Sequence, residues 1–209
     1  MGLLAYERAF DGERQGRLFY ENDHGRWWIP AIPEGPDPDR RIQNFLIQSR
    51  MTFRCSDPYW RDEAIHTLAL RMSDASFRLP FRFPIRFGTR MFTGRAVNAG
   101  HASTPVRITV HGSGETPSLI NHTTGAKITV ARPVATGETL LINTDPEALS
   151  VVVRSFDGTE TPAHGYLALE TPLAGFALRR GPNIIEYVPN QPSNLSRVEL
   201  QWSSRLEGV

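Results

Sequence analysis

Between Asn98 and Thr144 the chain is cut by turn-forming residues at intervals too regular for a loop. The cuts fall at Asn98, Gly100, Pro105, Gly112, Pro117, Asn121, Gly125 and Gly137-Glu138, and the run closes on Ile142-Asn143-Thr144. Between them apolar side chains recur at every second residue, as in Val106, Ile108 and Val110. That period suits a half-buried strand and not a helix. The alternation continues through Ile128 and Val130, Leu140 and Ile142, and Leu149, Val151 and Val153. Asp157-Gly158 follows as a hairpin-grade turn. Further strands are expected near 166–169, 176–178, 184–188 and 198–202. About eight to ten short strands without intervening helices predict an all-β fold, an antiparallel sandwich of jelly-roll type.

The N-terminal part carries the same signals less regularly. Arg17–Tyr20 and Arg26–Ile29 flank Asn22, Asp23, His24 and Gly25, a hairpin turn whose residue types suit φ > 0. Pro30, Pro33, Pro36 and Pro38 are expected to keep the chain out of regular structure until Arg40. Alternation resumes from Phe45 to Phe53. Trp60 to Ser73 alternates as well as it winds, and reads as strand. The sharpest period-2 segment is 77–87, with Phe77, Leu79, Phe81, Phe83, Ile85 and Phe87 on one face and Arg78, Arg82 and Arg86 on the other. Pro80 and Pro84 make it an edge strand or an extended connector. Its arginine face is either solvated or set against an acidic or backbone-rich surface of a neighbouring subunit.

With 209 residues the chain holds one good-sized domain or two small ones, and 40% hydrophobic residues suffice for a core. The lone Cys55 excludes an internal disulfide; alternating with apolar residues, it reads as a small buried side chain rather than a nucleophile. No stretch reaches the roughly 18 apolar residues of a membrane span. Met1–Arg8 meets acid and Arg too early for a signal peptide, and Tyr6 stands where myristoylation needs Ser or Thr. The sequence reads as a soluble protein made inside the cell, so the glycosylation patterns at Asn121 and Asn194 carry no meaning.

A net charge of +1 argues against general nucleic-acid binding. Of 23 basic residues only Lys127 is Lys. Codon usage in a GC-rich genome accounts for most of that bias, although Arg also suits interfaces better than Lys. Residues 1–107 hold 16 Arg against 12 acids, and residues 108–209 hold 7 bases against 10 acids, so the halves differ in sign.

Catalytic templates fail in turn. His24, His66, His101, His111, His122 and His164 show no close pair at ligand spacing, although His101, His111 and His122 could meet across strands. Gly112-Ser113-Gly114 lacks the Lys and helix of a phosphate loop, and Gly165 has no nucleophile-elbow Ser. No cofactor signature is present, and the sequence places no two carboxylates across a cleft. The weight moves to binding or structure, and no enzyme is expected.

Asp57-Pro58-Tyr59-Trp60, the ordered turn set from Asn98 to Thr144, and Gly181, Pro182, Asn183, Ile184 and Ile185 together resemble the distal tail protein family of siphophages. The resemblance spans roughly 17–205. It implies an N-terminal belt domain that closes a hexameric ring around the tail channel and a C-terminal galectin-like β-sandwich projecting from it. The implied division is 1–74 for a reduced belt-like segment and 75–209 for the sandwich. Implied partners are further copies of the chain, the tail tube protein, the tape-measure protein and the tail-tip hub or receptor-binding proteins. The implied location is the virion, after synthesis in the host bacterial cytoplasm. Trp27, Trp28, Arg78, Phe81, Arg82, Phe83 and Arg86 are the candidate subunit interface. Two departures stand out: fewer residues precede Asp57 than in the family, which reads as shortening, and Asn143 replaces the usual Asp. The competing reading is a lectin-like sandwich for host adhesion. It needs an aromatic platform, and the C-terminal half offers only Trp202, on an alternating strand.

Overall fold

The alternation read from the sequence becomes strands in a computed structural model that describes residues 3–7, 15–36, 40–43, 46–48, 51–71, 92–168, 172–191 and 195–208. Among these residues there is no α-helix, only short 3₁₀ turns at His164–Tyr166 and Leu173–Gly175. Every strand pairing is antiparallel. The chain divides into two compact units, Met1–Ala64 with Ser203–Val209, and Ile65–Trp202. The second unit is thus inserted between two segments of the first.

The first unit contains β1 (Leu3–Glu7), β2 (Gly16–Asn22), β3 (Gly25–Pro36), β4 (Arg40–Gln43), β5 (Leu46–Gln48), β6 (Met51–Arg54) and β7 (Trp60–Asp62). The second contains β8 (His66–Arg71), β9 (Phe92–Asn98), β10 (Thr104–Pro105), β11 (Arg107–His111), β12 (Ser118–Asn121), β13 (Ala126–Val130), β14 (Thr139–Asn143), β15 (Ser150–Arg154), β16 (Glu160–Pro162), β17 (Leu167–Ala168), β18 (Ala177–Leu178), β19 (Gly181–Tyr187) and β20 (Arg197–Trp202). A last strand, β21 (Arg205–Leu206), returns to the first unit.

The second unit is a sandwich. One sheet runs β16-β15-β14-β11-β20-β8 and the other β17-β13-β12-β19-β9, with β10 and β18 paired beside them. Cross-strand partners share a face, so the register fixes which side chains point inward. Leu70, Val198, Val110, Leu140 and Val153 form one inward row of the first sheet. Phe92, Tyr187, Leu119 and Ile128 answer from the second. All are nearly inaccessible and belong to one core cluster. Each such side chain contributes about 1.5–3 kcal/mol by leaving water. Phe92 and Tyr187 meet edge to face, with centroids 5.5 Å apart.

The turn residues earn their places in several ways. Asn98, Asn121 and Asn183 are all buried and serve the backbone around β18. Asn98 Nδ2 donates to the carbonyls of Ala102 and Leu178, Asn121 Nδ2 to that of Ala177, and Asn183 Nδ2 to those of Arg179 and Gly181. Thr144 Oγ1 accepts the Val106 amide at 2.9 Å. Gly112 is required by contact: a Cβ there would lie 1.9 Å from the Ala135 carbonyl oxygen.

Two expectations need correction. Pro30, Pro33 and Pro36 do not break the chain; they lie within β3. Pro30 falls where β3 is bonded only to β2, and Pro33 and Pro36 where it is bonded only to β6, across a register shift. A strand with one neighbour tolerates a missing N–H on its other side. The turn at 22–25 takes its positive φ at Gly25 (155°), as its residue types suit, while Asp23 and His24 have none. Asn22 Oδ1 accepts the His24 amide at 2.8 Å. Cys55 is half-buried rather than buried, and that burial pushes its thiol pKa up, away from the reactive thiolate.

Candidate functional site

Among the described residues, a group of aromatic and arginine side chains of the first unit lies on the sheet β1-β2-β3-β7-β21. Trp27 and Trp28, neighbours on β3, face opposite sides of it. Phe19 pairs with Trp28 across β2 and β3, and Trp28 with Arg61 across β3 and β7, so the three share one face. There the Arg17 guanidinium lies 4.4 Å from the Trp28 ring centroid and that of Arg61 5.0 Å, so cations flank the indole. Arg26 covers Phe19 at 4.3 Å. Each such contact at a partly exposed site is worth about 0.5–1 kcal/mol. On the opposite face Trp27 stacks on Tyr20 at 6.2 Å, and Trp60 packs on the same Tyr20 at 6.1 Å.

Asp57-Pro58-Tyr59-Trp60 is where this sheet is tied together. Asp57 is only 7% exposed. Its Oδ2 accepts Arg61 Nη2 at 3.0 Å, its Oδ1 accepts Arg205 Nη2, and the Tyr59 amide also donates to Oδ1, at 3.4 Å. Arg205 lies over the Tyr59 ring at 4.5 Å. The adjoining Asp62 amide donates to the Ser204 carbonyl at 3.0 Å, and β21 pairs with β7. One carboxylate therefore locks residues from both ends of the chain into one unit. Sequence reading singled out this tetrad for its aromatic rings. It missed Arg61 and Arg205, which no local pattern connects to Asp57.

Of the seven expected interface residues, the structure places Trp27 and Trp28, both half-buried, on this sheet. Arg78, Phe81, Arg82, Phe83 and Arg86, with the whole 77–87 segment, lie outside the described residues.

The second unit holds a second buried carboxylate. Glu115, 1% exposed, accepts Tyr187 O–H at 2.6 Å and Ser196 O–H at 2.7 Å. Burial, first, and this carboxylate, second, push the Tyr187 pKa well above the ordinary tyrosine value. The arrangement ties the segment before β12 to β19 and to the start of β20. His111 lies on β11 of the six-stranded sheet, while His122 follows β12 of the other and meets Glu186 at 2.5 Å. Among the described residues no group of three or more His, Cys, Asp or Glu could hold a metal ion. Among the described residues, the outward positions of the sandwich strands, such as Thr93, Arg95, Ile120 and Glu186 on one sheet and Thr109, Leu141, Val152 and Glu199 on the other, carry no Trp, Tyr or Phe. The one tryptophan of this unit, Trp202, is 7% exposed and stacks on His66.

No family model and no curated protein sequence matches the chain. Solved structures do. The crystal structure of the SPP1 Dit protein, described as a paradigm of the hub adsorption apparatus in phages infecting Gram-positive hosts, matches with a TM-score of 0.59 at 13% identity, over 94% of this chain and 66% of that one. A chain of the phage P2 baseplate in its activated conformation with Ca matches with a TM-score of 0.55 at 11% identity, over 93% of this chain and 70% of that one. The chain shares its fold with these two phage proteins. This chain spans just under two thirds of the Dit length, and at such identity the likeness is one of fold. Because it covers 94% of the chain, it takes in both compact units and not the sandwich alone.

Proposed function

We propose that the chain is a structural subunit of a non-contractile phage tail tip. Copies of it assemble into a six-fold ring that joins the tail tube to the baseplate and its receptor-binding proteins, with the tape-measure protein as a further neighbour. The first unit serves as the belt that meets neighbouring copies, and the inserted sandwich, galectin-like in this reading, projects from it. Assembly takes place in the host bacterial cytoplasm, and the protein leaves in the virion without performing catalysis.

The observation that carries this reading is the fold match to a hub protein through both units. An isolated sandwich would be shared with many unrelated binding modules. A sandwich inserted into a small arginine- and tryptophan-bearing unit is far more particular. Aromatic and Arg side chains at partly exposed positions are the composition of protein interfaces, and a ring subunit must hide such a surface against its own copies.

Gold-labelled antibody against the chain, applied to particles from the phage that encodes it, tests the placement. Label confined to the tip end of the tail is expected. Label on the head, on the tail shaft, or only on material outside particles would refute it.

A further inference from the structure

The loop joining β15 and β16 presents a side chain that the fold does not use. Phe156 is 95% exposed, whereas the other exposed aromatic among the described residues, Tyr166, is 47% exposed and has Arg132 lying 5.8 Å from its ring centroid. Leaving a phenylalanine in water forgoes about 1.5–3 kcal/mol. Nothing in the loop demands it, because backbone and neighbouring polar groups hold the turn. The Ser155 amide donates to the Thr159 carbonyl at 2.9 Å, the Gly158 amide to the Ser155 carbonyl at 3.0 Å, and the Thr159 amide to Asp157 Oδ1 at 2.9 Å. Gly158 takes the left-handed φ of 85° that closes the turn. Below, Arg154 Nε and Nη2 both donate to Glu160 Oε1, at 3.0 and 2.6 Å. At its foot stands Gly137, whose backbone leaves room beside the Phe156 Cβ.

The loop is thus ordered before it binds anything, which removes an entropic cost of association. It also sits at a particular end of the sandwich. The chain enters and leaves this unit where His66 pairs with Trp202, and Phe156 lies at the other end, where Arg71 pairs with Arg197.

We propose that the 155–159 loop is a docking knob for another protein, one offering an apolar pocket for Phe156 with a cationic rim for Asp157. A buried aromatic anchor of this kind is the usual centre of binding energy at protein interfaces. Thr159 holds the Asp157 carboxylate ionised below the usual range, and the carboxylate remains solvent-exposed, so it can meet a cation. A lipid surface is a poor match: the loop brings one apolar side chain and one acid, with the adjoining Arg154 already paired to Glu160, where membrane-binding segments bring several apolar side chains beside unpaired Lys or Arg. The inference does not depend on the tail-tip reading.

The test uses the full chain with Phe156 replaced by the photo-crosslinker p-benzoyl-phenylalanine, expressed together with the genes that flank its own. A matched chain carries the crosslinker at the exposed Thr124 turn. The expected result is a crosslink from position 156, and not from 124, to one flanking-gene product, at a peptide with apolar residues and Lys or Arg. Excess wild-type chain should suppress it, and Phe156→Ser chain should do so roughly tenfold less effectively or worse. Crosslinks only to further copies of this chain, only to lipid, equally from both positions, or not at all would overturn the proposal. So would equal competition by the two chains. Particle labelling decides the tail-tip reading separately, so the two can fail independently.

Discussion

Asp57 faces two guanidinium groups while almost out of water, which makes it the residue on which the first unit most depends. Removing one partner of a buried ion pair costs more than the pair is worth, because the remaining charges stay desolvated. The Arg61 and Arg205 side chains are 12% and 20% exposed, which places the loss at the lower end of the usual range. Asp57→Ala should therefore lower the stability of this unit by about 3 kcal/mol. Urea unfolding followed by tryptophan fluorescence is the direct check, since Trp27, Trp28 and Trp60 lie in the first unit and only Trp202 in the second. An unchanged midpoint would show that the clamp is ornamental. Tyr187 gives a prediction in pH. Its folded pKa is raised, so its contribution is fully present below the unfolded value of about 10 and is lost as pH rises beyond it. Sandwich stability should hold from pH 7 to 9 and fall above about pH 10. Tyr187→Phe should remove that part of the fall, at the expense of one donor to Glu115 at all pH values. Gly112→Ala, forced against the Ala135 carbonyl, should cost the sandwich about 3 kcal/mol, read as a lower urea midpoint in far-ultraviolet dichroism.

At the scale of elements, legibility followed locality. β11, β13, β14, β15 and β20 could be read from alternation because each buries one face in a shared core, so burial itself imposes the period. β3 was hidden by its prolines, since single-sequence reasoning cannot see which side of a strand lacks a neighbour. The stretch from Phe45 to Phe53 was read as one alternating run but contains two short strands, β5 pairing back onto β4 and β6 onto β3. The candidate site was half legible: Trp27, Trp28 and the Asp57 tetrad announced themselves, whereas Arg205 reaches Asp57 across 148 residues of sequence. The buried Glu115 looked like any surface acid, because its two hydroxyl partners lie 72 and 81 residues away. The return of β21 makes a sharp prediction. Ending the chain after Ser204 removes the β21 pairing and one cation of the clamp. The fluorescence transition of the first unit should then shift to lower urea, while the far-ultraviolet dichroism of the sandwich keeps its midpoint. Equal shifts in both would mean that the two units do not unfold separately.

For the whole molecule, the central claim is that an all-β chain with a hub-protein fold is an assembly part. The fold was legible as an antiparallel sandwich, and its likeness to phage hub proteins extends through both units. Ring formation is the property that separates an assembly part from a monomeric sandwich of the lectin kind. Trp28, flanked by Arg17 and Arg61, should matter to it: Trp28→Ala is expected to weaken self-association roughly tenfold or more. Negative-stain imaging of the purified full chain at high concentration, with native mass measured in parallel, examines the claim most directly. Closed rings of six copies are the predicted result. A chain that stays monomeric at every concentration, in the presence of its tail-tube partner as well as alone, would contradict it.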